Sequence, residues 1–290
     1  MLASLKEEGP VAGQTIAAAP AEPLQAAAGE DLAPVNPPVD TARIRTLPIH
    51  ITGKSPLLPF SAANAAAAEQ YRIIRTRLLQ HPRQPRSLLI SSTGPGDGKS
   101  ITAVNIAGAL SLKSEARVLL TDVDFRRSVL DTRLGLPSSP GLGDILTGTA
   151  TLEESLIQIE QLPNLYFLPV GTPQSNPSEL LDSERWAWLC NCLRAEFRYI
   201  VADAPPVASV ADYELLQASC DGVVMVIRPD HTRREAVLRT LKSIPKEKMI
   251  GVIMNDVQDW FFTRSTPYSS HHTYYERPSS ADKNRVAAGK

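Results

Sequence analysis

The sequence is poor in cysteine, and the few that it has are badly placed for cross-links. It contains three cysteines in 290 residues. Cys190 and Cys192 lie two apart in a segment with a helical pattern, so their side chains point to different sides. Cys220 stands alone before a predicted strand. These spacings speak against a disulfide framework or a metal-binding cysteine pair, and they predict reduced thiols in a cytosolic protein.

Long apolar runs and an excess of one charge are also missing. No apolar run reaches about 18 residues, so we expect no membrane-spanning segment. The opening stretch "MLASLKEEGPVAGQ" lacks the apolar core of a secretory signal. The formal net charge is −1, which gives no global attraction to nucleic acid or to an anionic surface. We therefore expect a cytoplasmic protein that does not bind nucleic acid.

Three regions of the chain differ in composition. Residues 1–60 are rich in Ala and Pro and predict a disordered arm. Residues 61–258 alternate short Val/Ile/Leu runs with helical patterns, which predicts one α/β domain with a doubly wound, mostly parallel sheet and helices on both faces. Residues 259–290 lose this rhythm and predict a flexible tail. The expected strands are 87–92, 116–122, 164–170, 199–204, 221–229 and 249–257.

A glycine-rich turn joins the first of these strands to a helix, in "SLLISSTGPGDGKSITAVNIAGAL". Such a turn directs backbone N–H groups at phosphates, and the helix start adds a favourable dipole. Lys99 would reach the β- and γ-phosphates, and Ser100 would ligate Mg²⁺. The usual G-x-x-x-x-G-K-[ST] spacing needs glycine where this chain has Thr93. The alternative therefore remains that this segment is only a turn that links the strand to the helix and binds no phosphate. The expected nucleotide-binding residues are Gly94, Pro95, Gly96, Asp97, Gly98, Lys99, Ser100 and Ile101.

Acidic residues follow two of the predicted strands. Asp122 and Asp124 lie near the end of the strand in "RVLLTDVDFRR", and Asp203 lies near the end of the strand in "YIVADAPPV". Ligands of a doubly wound sheet bind beyond the carboxyl ends of the strands, so both groups should meet the glycine-rich turn. Asp203 is the expected carboxylate of a Mg²⁺ site, because that ion prefers hard oxygen ligands. A strand-terminal aspartate that caps the next turn is the alternative for each of them.

Together the motifs resemble those of a known family. "STGPGDGKS" from Ser92 to Ser100, "VLLTDVDFR" and "IVADAPP" are similar to the Walker A, A′ and B motifs of the bacterial tyrosine autokinases. These cytoplasmic kinases are tied to capsule and exopolysaccharide export, and they are P-loop NTPases related to the MinD and ParA ATPases. The resemblance covers roughly 45–258 and includes "GLGDILTG", "NPSELL" and "GVIMNDV".

The resemblance implies ATP and Mg²⁺ as cofactors. The metal would be held by Ser100 and Asp203, with Asp122 as a further ligand. Asp122 is the candidate to accept the phenolic proton, and Asp124 is either an outer metal partner or the alternative base. The catalytic residues implied are Lys99, Asp122, Asp124 and Asp203.

The same resemblance extends to two more nucleotide contacts and to the tail. It places Arg126 near the phosphates and Asn255 at the adenine. The tail "STPYSSHHTYYERPSS" carries Tyr268, Tyr274 and Tyr275 but no aliphatic side chain. In the family such a C-terminal cluster is the substrate of a neighbouring subunit, so these tyrosines are the expected autophosphorylation sites.

Glu69, Arg72 and Arg75 in "EQYRIIR" match the family's E-x-x-R-x-x-R helix, which pairs subunits into a homo-oligomeric ring. Residues three apart share one helix face, so a solvated helix with internal ion pairs is the alternative. The expected partners are a membrane-anchored activator of the polysaccharide chain-length regulator type, which would recruit the chain to the inner face of the membrane, and a phosphotyrosine phosphatase.

Two other functions fit the same fold. One is an ATPase that positions DNA or division proteins, as MinD and ParA relatives do. Those carry an extra lysine early in the loop, where this chain has Ser92, Thr93 and Gly94. The other is a nucleotide-binding scaffold of a polysaccharide export complex without kinase activity. The complete set of loop lysine and strand-end aspartates disfavours the scaffold.

Overall fold

A single mixed sheet organises the chain. The computed structural model describes residues 40–50, 65–113, 116–207 and 212–257, and within them eight strands form the sheet. The strands are β1 (Arg45–Leu47), β2 (Ser87–Ser92), β3 (Val118–Asp122), β4 (Ile157–Ile159), β5 (Leu162–Leu168), β6 (Tyr199–Asp203), β7 (Gly222–Ile227) and β8 (Met249–Met254). Their order in the sheet is β1-β4-β5-β3-β6-β2-β7-β8. Every neighbouring pair is parallel except β4 and β5, which are antiparallel.

Helices connect the strands and cover the sheet. The central strands β2 and β3 are buried along their whole length, which agrees with their nearly continuous apolar sequences. The helices are α1 (Ala65–Leu79), α2 (Lys99–Ser111), α3 (Leu130–Leu134), α4 (Leu142–Thr147), α5 (Leu152–Ser155), α6 (Pro177–Leu181), α7 (Glu184–Glu196), α8 (Asp212–Ser219) and α9 (Arg234–Ser243).

Two apolar cores lie on opposite faces of the sheet. One contains Ile106 and Leu110 of α2, with Tyr71 of α1 packed against it. The other contains Leu189 of α7 and Leu216 of α8. The predicted fold class, a doubly wound and mostly parallel α/β sheet, is therefore confirmed. None of the helices in the described ranges is long and apolar enough to cross a membrane.

The structure differs from the predicted disordered arm at residues 40–50. There a short 3₁₀ turn leads into β1, which pairs in parallel with β4. Ile44 and Ile49 on either side of this strand are buried. Their apolar side chains fix the segment to the domain, although the Ala/Pro-rich sequence before it hides so short a strand. The rest of the predicted arm and the tail lie outside the described residues.

Candidate active site

The glycine-rich turn occupies the middle of the carboxyl edge of the sheet. It follows β2, which lies between β6 and β7, and it ends at the start of α2. Gly96 and Gly98 have φ values of 90° and 92°, in the left-handed region that glycine adopts without a steric penalty. Because Gly98 directly precedes α2, the free N–H groups of that helix face the space in front of the loop, which suits an anion.

Lys99 brings three of the predicted catalytic residues together. Its Nζ lies 3.4 Å from Asp124 Oδ2 and 3.3 Å from Asp203 Oδ1. The lysine side chain is only 13% exposed, and both carboxylates are more deeply buried. A buried ammonium with two acidic partners is held in place firmly. The distant strand ends and the loop therefore form one cluster, as the sequence predicted.

One oxygen of the Asp203 carboxylate has no hydrogen-bond partner among the described residues. This atom, Oδ2, is buried, and a buried carboxylate oxygen without a partner is rare. Burial raises the pKa of Asp203, while Lys99 and the Ser100 hydroxyl act in the opposite direction. A free hard oxygen next to Ser100 fits the ligand set of Mg²⁺.

The described residues do not supply a complete metal cage by themselves. Among the described residues, no group of three or more His, Cys, Asp or Glu side chains could hold a metal ion. A Mg²⁺ ion that keeps several waters and binds phosphate oxygens needs only one or two protein ligands. The donor set around Ser100 and Asp203 is consistent with an ion that arrives with a nucleotide.

Asp122 is engaged differently. Its Oδ1 accepts a hydrogen bond from the Asp124 N–H at 3.0 Å. Its Oδ2 accepts from the Ser128 hydroxyl at 2.9 Å and from the N–H groups of Val129 and Leu130 at 3.2 and 3.3 Å. The carboxylate thus holds the turn that leads into α3, which is the capping role left open above. Its assignment as base or metal ligand stays a prediction.

Asp122 and Asp203 are direct neighbours in the sheet, and their charges interact. They are paired in the register of β3 and β6. Burial and the nearby Asp203 raise the pKa of Asp122 to about 7, against the hydrogen bonds donated by Asp124, Ser128 and Leu130. Two buried carboxylates this close disfavour simultaneous ionisation. The Lys99 ammonium is the cation that offsets part of this negative charge.

Arg126 and Asn255, expected at the nucleotide, have protein partners. Arg126 is about half exposed, and its Nε lies 3.1 Å from Oδ2 of Asp212 at the start of α8. Asn255 donates from Nδ2 to the Asp97 carbonyl at 2.9 Å. Asn255 therefore contacts the phosphate-binding loop directly, whereas Arg126 borders the site. Their contacts with phosphate and adenine stay predictions.

The β7–α9 loop supplies two residues that the sequence analysis missed. The His231 Nε2 lies 3.2 Å from the Pro95 carbonyl oxygen, and the Thr232 hydroxyl donates to Asp97 Oδ1. Both follow β7, a strand adjacent to β2. The rule that ligand-site residues follow the carboxyl ends of strands could have indicated them in "VIRPDHT", because β7 was predicted.

The three residues of the predicted ring helix lie on α1. Glu69 Oε2 and Arg72 Nη1 form an exposed ion pair at 2.8 Å. Arg75 donates from Nη1 to the Ala109 carbonyl at 3.2 Å, near the end of α2. These contacts are internal to the chain, as in the alternative reading, so the ring stays a prediction. The three tail tyrosines, Tyr268, Tyr274 and Tyr275, lie outside the described residues.

The sheet, the glycine-rich loop and the strand-end carboxylates define a P-loop NTPase fold, although no protein-family model matches the sequence. The chain is 34% identical over 192 residues to the tyrosine-protein kinase YwqD of Bacillus subtilis, a match that covers 65% of this chain and 80% of that protein. It is 33% identical over 191 residues to the putative tyrosine-protein kinase EpsB of Ralstonia nicotianae, covering 64% of this chain but 25% of that protein. This chain belongs to the bacterial tyrosine-protein kinase family.

Solved structures agree with this assignment. The kinase domain of VpsO is 34% identical with a TM-score of 0.58, and the match covers 66% of this chain and 95% of that one. The chimerical protein CapA2B2 is 28% identical with a TM-score of 0.65, covering 73% of this chain and 92% of that one. The similarity therefore spans nearly the whole of each known domain.

Proposed function

We propose that the chain is an ATP-dependent protein-tyrosine autokinase that phosphorylates C-terminal tyrosines of neighbouring subunits and regulates exopolysaccharide or capsule synthesis and export. The observation that carries this proposal is the cluster in which Lys99 Nζ lies 3.4 Å from Asp124 and 3.3 Å from Asp203 at the start of α2. Membership of the tyrosine-protein kinase family supports the choice of substrate.

The loop and Lys99 bind the triphosphate in this proposal. The bond between the γ-phosphorus and the bridging oxygen to ADP breaks, and a bond forms from that phosphorus to the tyrosine oxygen. Backbone N–H groups, the start of α2 and Lys99 stabilise charge on the transferring group. Ser100 and Asp203 would hold Mg²⁺, with Asp122 beside Asp203 on the neighbouring strand. When bound, Mg²⁺ neutralises part of the phosphate charge.

Asp124 is the base that we favour for the phenolic proton. Both oxygens of Asp122, the first candidate, already accept hydrogen bonds from the turn before α3. In contrast, Asp124 Oδ2 faces Lys99 at the loop. A lysine that moves toward the phosphates releases this oxygen to accept a proton, while Asp122 keeps its structural contacts. A base must lie within hydrogen-bond reach of the proton that it takes.

Assembly would bring the substrate tyrosines to this site. Tethering gives a tail a high effective concentration at an adjacent subunit, and Tyr268, Tyr274 and Tyr275 are its candidates. The exposed α1 face supports a heterologous contact of the kind that closes rings. Phosphate on the tail adds charge that would loosen the ring. A membrane-anchored activator would recruit the cytoplasmic chain to the membrane, and a phosphatase would reset it.

Mass spectrometry of the full chain tests the proposal. The chain is incubated with Mg·ATP and an activator segment, and tryptic masses are compared with those of Lys99→Met. Lys113→Met is the matched control, because Lys113 is exposed beyond the end of α2. We expect phosphate on the tail peptide of the wild type and the control but not of Lys99→Met. Self-labelling by Lys99→Met would overturn the mechanism, and ATP turnover without protein phosphate would favour a positioning ATPase.

A further inference from the structure

A carboxylate is buried inside the loop that must receive a triphosphate. Asp97 lies between Gly96 and Gly98, and only 1% of its surface is exposed. Phosphate oxygens and a carboxylate repel each other, most strongly where water is excluded. A phosphate-binding loop with this residue therefore needs a way to keep the negative charge away from its anion.

The carboxylate is held by donors within the loop and behind it. Its Oδ2 accepts a hydrogen bond from the Gly94 N–H at 3.3 Å, and its Oδ1 accepts one from the Thr232 hydroxyl. The backbone of the same residue is also fixed, because Asn255 donates to the Asp97 carbonyl at 2.9 Å. Of these partners, Thr232 is the side chain that holds the carboxylate.

The β7–α9 loop and the end of β8 lie directly against the glycines of the phosphate-binding loop. A Cβ atom on Gly96 would lie 2.9 Å from His231 Nε2, and a Cβ atom on Gly98 would lie 2.0 Å from Asn255 Nδ2. Both distances are shorter than real Cβ contacts, so a side chain at either glycine would push His231 or Asn255 out of place. The two segments thus form a close-fitting support for the loop, and Thr232 is placed to control the direction of the Asp97 carboxylate.

We propose that Thr232 is a positioning residue for ATP, which holds the Asp97 carboxylate against the β7–α9 loop and away from the phosphates. This inference rests on the proposed binding of ATP at the loop. Loss of the Thr232 hydroxyl frees a buried charge that then turns toward the ligand site. The loss of this hydroxyl should weaken nucleotide binding rather than phosphoryl transfer, because Thr232 has no contact with Lys99, Asp124 or Asp203 among the described interactions.

The first test is the affinity of the full chain for Mg·ATP, measured by titration calorimetry. Thr232→Val keeps the shape of the side chain and removes its donor. We expect its Kd to rise about tenfold, as the loss of one hydrogen bond to a charged group predicts, with a smaller change in kcat than in KM. Thr232→Ser keeps a hydroxyl donor, so its affinity for Mg·ATP should equal that of the wild type. Thr46→Val is the matched control, because that exposed hydroxyl bonds Gln158 at the far edge of the sheet.

A double-mutant cycle separates this role from general support of the fold. Asp97→Ala removes the charge that Thr232 is proposed to hold, so adding Thr232→Val to Asp97→Ala should change Kd less than twofold. An equal tenfold loss in both backgrounds would overturn the inference, as would unchanged affinity in Thr232→Val. A wild-type chain that binds no nucleotide would instead refute the proposed function, and the inference with it.

Discussion

The ends of β3 and β6 carry aspartates that face each other in the sheet, yet their surroundings differ. Asp122 accepts hydrogen bonds at both oxygens, from Asp124, Ser128, Val129 and Leu130. Asp203 contacts the Lys99 ammonium through Oδ1, and its Oδ2 has no hydrogen-bond partner. Both are almost fully buried, so exposure does not distinguish them.

The two carboxylates differ in how many of their oxygens accept hydrogen bonds: both oxygens of Asp122 do, but only one of Asp203 does. A carboxylate whose oxygens are fully used holds structure together, because moving it would leave buried donors unpaired. A carboxylate with a spare oxygen beside an anion-binding loop is ready for a ligand. We therefore propose that Asp122 mainly maintains the architecture of the site and that Asp203 takes part in its chemistry.

The largest expected effect belongs to Asp203→Asn. Removing this charge takes away a partner of Lys99 and the ligand that we propose for Mg²⁺, so tail phosphorylation should fall about 100-fold or more. The free energy of unfolding should change by no more than about 1 kcal/mol, because Lys99 keeps Asp124 as a partner and Oδ2 of Asp203 has no hydrogen bond to lose. Kinase assays and urea denaturation of the same preparation measure both. A loss of several kcal/mol with activity retained would reverse the assignment.

Asp122→Ala should show the opposite balance. It leaves three backbone N–H groups without their acceptor and the Ser128 hydroxyl with only its longer contact to Asp131 at 3.4 Å. We expect a loss of about 3 kcal/mol in the free energy of unfolding, since each unpaired buried donor costs about 1–3 kcal/mol. Urea denaturation measures it, with the exposed Asp182→Ala as the control. Stability equal to that of the control would show that the capping contacts contribute little.

The pH dependence of stability sharpens the same comparison. The pKa of Asp122 is raised from 3.8 to about 7 in the folded chain, so the folded state holds a proton that the unfolded state releases. The stabilisation that Asp122 contributes is fully present below its pKa in the unfolded chain, and it is lost as the pH rises through the folded pKa of about 7. Asp122→Asn removes the titration, so its free energy of unfolding should decline less than that of the wild type across this window. Parallel pH profiles would contradict the shift.

The smallest effect on stability is expected on α1. Glu69 and Arg72 are both more than half exposed, so Glu69→Ala or Arg72→Ala should change the free energy of unfolding by no more than about 0.5 kcal/mol. If this face joins subunits, the same variants should lower the oligomer fraction in sedimentation velocity. An exposed pair that alters neither quantity would leave α1 without a role in assembly.

The sequence predicts which side chains meet at the loop where one local pattern places them. The glycine-rich turn and the aspartates at strand ends are fixed by β/α rhythm, so their convergence at Lys99 could be expected. The place of Thr232 after β7 could be expected from the same rule, but its contact could not, because its partner Asp97 lies 135 residues away along the chain. Nor could the capping by Asp122, which depends on how the turn to Leu130 folds back. The β1 strand was missed because three residues beside an Ala/Pro-rich stretch give almost no periodicity.

The most direct test of phosphorylation between subunits is a mixing experiment with two full-length variants and Mg·ATP, with the activator segment present. Lys99→Met supplies an intact tail without a working site, and a variant with Tyr268, Tyr274 and Tyr275 changed to Phe supplies a working site without those tyrosines. Transfer between subunits predicts phosphotyrosine on the tail of the Lys99→Met chain only in the mixture. An unlabelled tail in the mixture, beside a wild-type chain that labels its own, would contradict transfer between subunits.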